Sequence, residues 1–384
     1  MKILKVWPFW QDDLKYHDHY LAEEMRRTGH ETVFLAPNRA ESSLAPFVSQ
    51  SIFPRGEHDR GSYRVVCLSS INFFGKFIVT DIRLVSQWLR KDFDVVHIFG
   101  ISNFISFLVL TLLILRRHRP LIVFNDHNHP EDHKSSTLAR IYHGLFRRLY
   151  DLYSPMVAEV IVPNLPSKQY LMRWYQLKDD SKIKIIPLGF NQEVFNIHSG
   201  PRNSESMLVL GFAGKIYPEK RLEVLLDAVQ RFPEGQIRLV IAGNNPGDLS
   251  DYQCDLKARV KDMGLRNVEV RPFIRNPADL AKFYAYIDVA VFPGSLSITT
   301  LEASGCGTPV VLFRSTEGLE DRVDNGRGEL FDDLEGLVRI LDAYLVAKRD
   351  ASINHAEICH QSQRYSWKVI SNRYLDEYRS LMAF

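Results

Sequence analysis

Two lysines five residues apart, Lys215 and Lys220, lie in the run GFAGKIYPEKRLEVLLDA, just past a strand-like stretch that ends at Gly214. Fixed cations there can neutralise a phosphate. Pro218-Glu219-Lys220 is predicted to open a helix whose free N–H groups would meet the same anion. Lysine in a first helical turn opposes the macrodipole, so helix stability does not account for it. Two solvated surface lysines are the plainer reading. A single carboxylate, Glu302, stands in FPGSLSITTLEASGCGTPVV. Thr299-x-x-Glu302 has the form of a capping box, with Thr299 as N-cap and Glu302 at the third helical position. That role is sufficient in itself. The same carboxylate can also accept hydrogen bonds from a ribose diol, and Gly294, Ser295 and Ser297 are small enough to let a ligand approach the backbone.

Titratable groups also crowd the run PLIVFNDHNHPEDH, where Asp126, His127, His129 and His133 follow a predicted strand. Imidazole and carboxylate suit zinc or iron. His127 and His129 are only two apart, however, and no regular ligand spacing continues, so a polar active-site loop is preferred to a metal site. In QDDLKYHDHYLAEEM, Tyr16, His17 and His19 follow the first strand. They read either as active-site groups or as a solvated helix start.

These groups need a scaffold that gathers strand ends. β-Branched runs are predicted as strands at 3–7, 32–36, 64–68, 95–99, 121–125, 160–163 and 184–187, and again at 208–213, 238–242, 268–272, 289–292, 310–313 and 329–331. Amphipathic helical stretches such as YLAEEMRRTGH and RLEVLLDAVQRF lie between them. Apolar strands alternating with helices imply parallel sheets covered on both faces. Such sheets bind ligands at the carboxyl ends of their strands. The polar segment 191–206, with Gly200-Pro201, is read as a linker. It would separate residues 1–190 from 207–365, two doubly wound α/β domains facing across a cleft, with residues 366–384 as a helix returning to the first.

The chain has 384 residues, too many for one core. Its net charge of +2 lacks the basic excess of a nucleic-acid binder. Cys67, Cys254, Cys306 and Cys359 are scattered, which fits a reducing cytosol better than a disulfide framework. No leader pattern is read at the N-terminus. The apolar run from Phe104 ends at Leu115, short of the ~20 residues a spanning helix needs. A buried helix or an interfacial one with a basic collar at 116–119 is expected instead. Neither G-x-G-x-x-G nor G-x-x-x-x-G-K-[ST] occurs, nor G-x-S-x-G or H-E-x-x-H. Rossmann dehydrogenases, P-loop enzymes and the commonest hydrolases are thereby disfavoured.

The order and spacing of YLAEEMRRTGHETVFLAPN, DVVHIFG, IIPLGFNQEVF, GFAGKIYPEKRLEVLLDAV, IDVAVFPGSLSITTLEASGCGTPVV and YSWKVISNRYLDEY resemble the family-4 retaining glycosyltransferases, over nearly the whole chain. The resemblance implies a GT-B fold of two Rossmann-like domains. A nucleoside-diphosphate sugar would bind the second domain and the acceptor the first. It implies that Lys215 and Lys220 hold the diphosphate, that Glu302 holds the ribose as the second Glu of a Glu-x7-Glu motif, and that the base passes Phe273, Ile274 and Arg275. Ser297, Ile298 and Thr299 would complete the donor side. His127 matches a histidine near the transferred sugar, with Asp126, His129, Tyr16 and His17 on the acceptor or sugar-side loops.

Two departures stand out. Gly294 replaces the first Glu, which in the family commonly contacts the sugar, and Lys15-Tyr16-His17 replaces a glycine-rich loop. Ser295, Ser297 and backbone N–H groups are expected to supply the sugar contact. The alternatives are a pseudo-enzyme that binds nucleotide without turnover and a nucleotide-sugar 2-epimerase. The expected reaction is metal-independent hexosyl transfer with retention, from a UDP-sugar in preference to a GDP-sugar, to a glycan or polyprenyl-linked acceptor in cell-surface polysaccharide synthesis. No cofactor beyond the co-substrate is expected. The location would be the cytoplasm or the inner face of the membrane, where ARIYHGLFRRLYDLY interleaves Arg and aromatic residues. The plainer reading of that helix is an ordinary surface helix using Phe146 and Leu149 as core contacts.

Overall fold

Runs such as KILKV, VVHIF and LVLGFA give strands because their branched side chains pack on a pleated surface buried on both faces. In the computed structural model every expected strand has a counterpart, shifted by at most a residue or two. The structure describes all residues except 13–16, 41–49, 74–75, 117–118, 129–136, 178–179, 245–250, 295–296, 315–318 and 384. The chain divides into two units, Met1–Leu188 with Trp367–Phe384, and Gly189–Ser366.

Unit 1 contains β1 (Lys2–Val6), β2 (Glu31–Pro37), β3 (Gly56–Asp59), β4 (Arg64–Leu68), β5 (Ser70–Phe73), β6 (Lys76–Val79), β7 (Val95–Phe99), β8 (Leu121–Asn125), β9 (Glu159–Val162) and β10 (Ile183–Ile185). Eight of them form one sheet in the order β10-β9-β8-β7-β1-β2-β4-β3. All its pairings are parallel except that of the edge strand β3 with β4. β5 and β6 make a separate antiparallel hairpin. The strand order reverses direction between β1 and β7, so the loops after them diverge and leave room for a ligand. β3 (GEHD) and the hairpin escaped the sequence reading, because neither carries the branched apolar run that marks a buried strand.

Unit 2 contains β11 (Leu208–Ala213), β12 (Ile237–Asn244), β13 (Val268–Pro272), β14 (Val289–Phe292), β15 (Val310–Phe313) and β16 (Gly328–Phe331). They form one parallel sheet, β13-β12-β11-β14-β15-β16, with its reversal between β11 and β14.

Residues 191–206, read from the sequence as a linker, belong to the body of unit 2. Phe190 and Phe195 are buried in its core. Arg202 donates to Thr308 Oγ1 (2.9 Å) and the Ala285 carbonyl (3.2 Å). Asn203 Nδ2 donates to Asp288 (3.0 Å), which is itself paired with Lys348 (2.7 Å). Polar composition here reflects side chains that clamp the segment to the sheet, not a solvated tether.

The apolar run yields a helix, Phe104–Ile114, whose Ile105, Phe107, Val109, Leu110 and Leu113 are buried. Among the described residues no helix is long and apolar enough to cross a membrane. The helix Trp367–Met382 belongs to unit 1, where Trp367 stacks on Tyr20 with ring centroids 5.9 Å apart.

Candidate functional site

In unit 1 a buried polar cluster sits at the ends of β1, β7 and β8. Lys5 on β1 is ion-paired with Asp18, both almost fully buried. Asp18 also lies 3.0 Å from His17 Nε2. Burial alone would raise the Asp18 carboxyl, but Lys5 and His17 outweigh it and hold it well below the usual range. Asn125, the last residue of β8, places one end of its amide 3.3 Å from His17 Nε2 and the other 3.1 Å from His127 Nε2. The His17 and His127 rings are in contact, tilted at 37° with centroids 4.1 Å apart. Burial, reinforced by His17, holds His127 far below the ordinary histidine range, so it is neutral at pH 7. His97 on β7, depressed to about 3 by burial and Lys5, hydrogen-bonds Tyr378. Tyr374, one turn earlier on the same helix, has its hydroxyl 3.5 Å from the Asn125 amide.

The helix beginning at His17 is therefore not a solvated start. His17, Asp18 and His19 are each at most 6% exposed, because Lys5 neutralises Asp18 and Trp7, Trp10 and Trp367 cover the rings. Asp126 is buried, and its carboxylate accepts from the Ile101 (3.0 Å) and Asn128 (2.9 Å) backbone N–H groups, so it fixes the loops after β7 and β8. A cavity of about 240 Å³ opens beside it, lined by Phe9, Lys76, Phe99, Asn103, Asp126 and His127 among others. Tyr16 and His129 lie outside the described residues, as does His133. Among the described residues no three His, Cys, Asp or Glu side chains are grouped to hold a metal.

In unit 2 the turn carrying Lys220 differs from the expectation. Pro218–Lys220 is a 3-10 turn closed by Arg221 in a left-handed conformation (φ 50°), and the α-helix starts only at Glu223. Lys220 thus precedes the helix and is not in its first turn. It is 6% exposed, with its ammonium 5.3 Å from the Tyr217 ring centre, whereas Lys215 is exposed. Gly294, just past β14, presses on this turn. A Cβ there would lie 2.0 Å from the Glu219 carbonyl oxygen and 2.7 Å from Lys220 Cα. The position where a first Glu was looked for is filled by the Lys220 backbone.

The capping box is also absent. Ile298 is the N-cap of the helix Thr299–Gly305 and no side chain caps it, so Thr299 is its first residue and Glu302 its fourth. Thr299 Oγ1 is buried and lies against the Tyr284 hydroxyl. Glu302 is half-buried, and burial raises its carboxyl to about 7. Of the two, half-buried Glu302 is the one open to a ligand hydroxyl. Ser297 directs its carbonyl to Thr300 Oγ1 (3.0 Å), and Ser295 lies outside the described residues. Phe273, Ile274 and Arg275 together line a separate open groove of about 720 Å³ after β13, whose walls include none of Lys215, Lys220, Gly294, Ser297, Thr299 or Glu302.

Reading the sequence missed Lys5, Asp18, Asn125, Tyr374 and Tyr378. A signal existed for two of them: Lys5 interrupts an apolar strand, and Asn125 ends one. The tyrosines sit at the far end of the chain, where no local pattern could point to β8.

Comparison with known proteins agrees with this architecture. Residues 208–350 match the family described as Glycosyl transferases group 1, and residues 16–194 that described as Glycosyltransferase Family 4. The chain is 31% identical over 186 residues to a D-inositol 3-phosphate glycosyltransferase of Corynebacterium urealyticum, a match spanning 46% of this chain and 44% of that enzyme. It is 25% identical over 395 residues to a phosphatidyl-myo-inositol mannosyltransferase of Mycolicibacterium smegmatis, covering 99% of this chain and 94% of the relative. The structure of Anabaena HepE in complex with UDP-glucose superimposes with a TM-score of 0.68 at 17% identity, covering 99% of this chain and 100% of that one, which shows a shared GT-B fold. With the two family matches taking in most of both units, the chain belongs to the family 4, or group 1, glycosyltransferases.

Proposed function

We propose that this protein transfers a hexosyl group from a nucleoside-diphosphate sugar, UDP-linked in first preference, to a hydroxyl of a lipid-linked or glycan acceptor, with retention and without a metal. The observation that carries the reading is the Lys220 turn pressed against Gly294 where the strand order of unit 2 reverses. It sets a nearly buried cation at the mouth of the sheet, as a diphosphate requires. Lys215 adds a second cation, and Glu302 offers a partner for ribose hydroxyls. The HepE complex with UDP-glucose supports a uridine donor.

In the proposed reaction the anomeric C1–O bond to the diphosphate breaks while the acceptor oxygen bonds to C1 on the same face. The acceptor proton passes to the departing phosphate oxygen. Charge growing on that phosphate is met by Lys215 and Lys220, a fixed electrostatic contribution that costs no reorganisation. His127 is proposed to contact the transferred sugar. Gly294 motivates the second reading, a subunit that binds nucleotide without turnover. The test is thermal shift against UDP-, GDP- and ADP-sugars, followed by nucleotide release with acceptor present. A shift with UDP-sugars and acceptor-dependent release fits the proposal. A shift without release under any acceptor points to the second reading, and no shift refutes both.

The acceptor is proposed to be presented at an anionic membrane surface on the cytoplasmic side, in cell-surface glycan synthesis. The relative named as a phosphatidyl-myo-inositol mannosyltransferase supports a lipid acceptor. In the helix Thr137–Tyr153, Phe146 and Tyr150 face the core while Ile141, Leu145 and Leu152 are 65%, 51% and 66% exposed, beside Arg140 and Arg148. Leu115, one turn past Thr111, whose hydroxyl meets that of Tyr153, is 81% exposed. An apolar stripe with arginines along it is the composition of an interfacial helix. Flotation with anionic vesicles is expected, and Leu145→Asp with Leu152→Asp should abolish it. Flotation that is absent, or unchanged in the double variant, sinks this part.

A further inference from the structure

We infer that Asn125 is a positioning residue that holds neutral His127 with its proton on Nδ1, so that the ring presents an N–H donor, and not an acceptor, to the cavity of unit 1. The Asp18 carboxylate is ionised against Lys5 and can only accept hydrogen bonds. His17 Nε2, 3.0 Å from it, must therefore carry a proton. An Nε2–H directed at Asp18 cannot also receive a hydrogen bond from an amide N–H, yet one end of the Asn125 amide lies 3.3 Å away. That end must be the carbonyl oxygen, the two ends of an amide being equal in shape and told apart by their partners. The Tyr374 hydroxyl, 3.5 Å from the same end, then donates to it as well.

The other end of the amide is then its NH₂ group, and it faces His127 Nε2 at 3.1 Å. A nitrogen receiving an N–H carries no proton. His127, tilted against the His17 ring at 4.1 Å and held far below the ordinary histidine range by burial and by His17, is neutral, so its single proton sits on Nδ1. The ring lines the cavity together with Asp126, Asn103 and Phe99. The order of influence runs Lys5, Asp18, His17, Asn125, His127, with Tyr374 bracing the middle. A donor at this place can hold a sugar or acceptor oxygen but cannot take a proton from an acceptor hydroxyl. That agrees with the departing phosphate taking the proton.

The link to turnover rests on the proposed role of His127 beside the transferred sugar, whereas the tautomer does not depend on it. The test is long-range ¹H–¹⁵N correlation on protein labelled with ¹⁵N-histidine at pH 7.5, with His127 assigned by loss of its signals in His127→Gln. Wild-type protein is expected to show the Nδ1–H pattern. Asn125→Asp, whose carboxylate only accepts, should move the proton to Nε2. Nε2–H in the wild type, or no change in a folded Asn125→Asp, overturns the inference. Turnover is read separately. Loss of the donor facing the sugar should lower kcat by about 10²-fold with donor KM nearly unchanged. A switched tautomer with unaltered kcat would leave the positioning intact and refute the sugar-side role of His127.

Discussion

Replacing Gly294 by alanine is expected to displace the turn that carries Lys220. The added Cβ would stand 2.0 Å from the Glu219 carbonyl oxygen, where ordinary contact begins at 3.4 Å, and 2.7 Å from the Lys220 Cα and carbonyl carbon. No flexible side-chain end is available to yield, so backbone must move by about 1.4 Å. Overpacking of this kind costs roughly 1–3 kcal/mol of stability. The larger effect is on chemistry, because a reacting group displaced by about 1 Å can lose ~10²-fold in rate. Gly294 is outside the left-handed region, so the demand for glycine here is one of space alone. Gly294→Glu, which would restore the first carboxylate of the Glu-x7-Glu pattern, meets the same backbone and should be at least as impaired. Differential scanning fluorimetry, calorimetric titration with UDP and nucleotide-release rates read the three consequences. A Gly294→Glu protein with wild-type Tm and equal or higher turnover would refute the reasoning.

Other outcomes follow from the same geometry. Lys220→Ala should lower turnover by about 10²–10³-fold and EDTA should leave wild-type turnover unchanged, both measured by nucleotide release; strong EDTA inhibition refutes the metal-free reading. Glu302, raised to about 7 by burial, accepts best from both hydroxyls of a ribose diol when ionised, so UDP affinity should fall as pH drops below 7, and Glu302→Gln should flatten that dependence. In the free protein the sign is opposite: a carboxyl raised in the fold stabilises below its unfolded value near 4.5, and that contribution fades as pH rises through 7. Lys5→Met leaves Asp18 buried and uncompensated, and should cost about 3–5 kcal/mol in denaturant unfolding.

The parallel strands were legible because each is a short branched run buried on both faces, and the strand ends then located Lys215, His127 and Glu302. What failed was local. Asn191–Ser206 looks polar in isolation, yet Arg202 and Asn203 spend their polarity on Thr308 and Asp288, far along the chain. Thr299-x-x-Glu302 has the letters of a capping box, but the chain enters the helix one residue earlier, at Ile298. Gly294 read as a missing residue until the Lys220 turn was seen against it. Partners distant in sequence decide all three, and no window of neighbouring residues contains them.

The terminal helix Trp367–Met382 has a consequence for how the molecule is made. Tyr374 and Tyr378 close the polar cluster around Asn125 and His97, and Trp367 covers His17. At ordinary rates of synthesis, roughly 10–40 s separate the last strand of unit 1 from this helix. During that interval the buried Lys5–Asp18 pair and the adjoining His17 and His127 rings have no lid. The first unit to leave the ribosome is thus the last to be finished. A nascent chain stalled before Trp367 should expose unit 1 to chaperones and proteases while unit 2 is already protected.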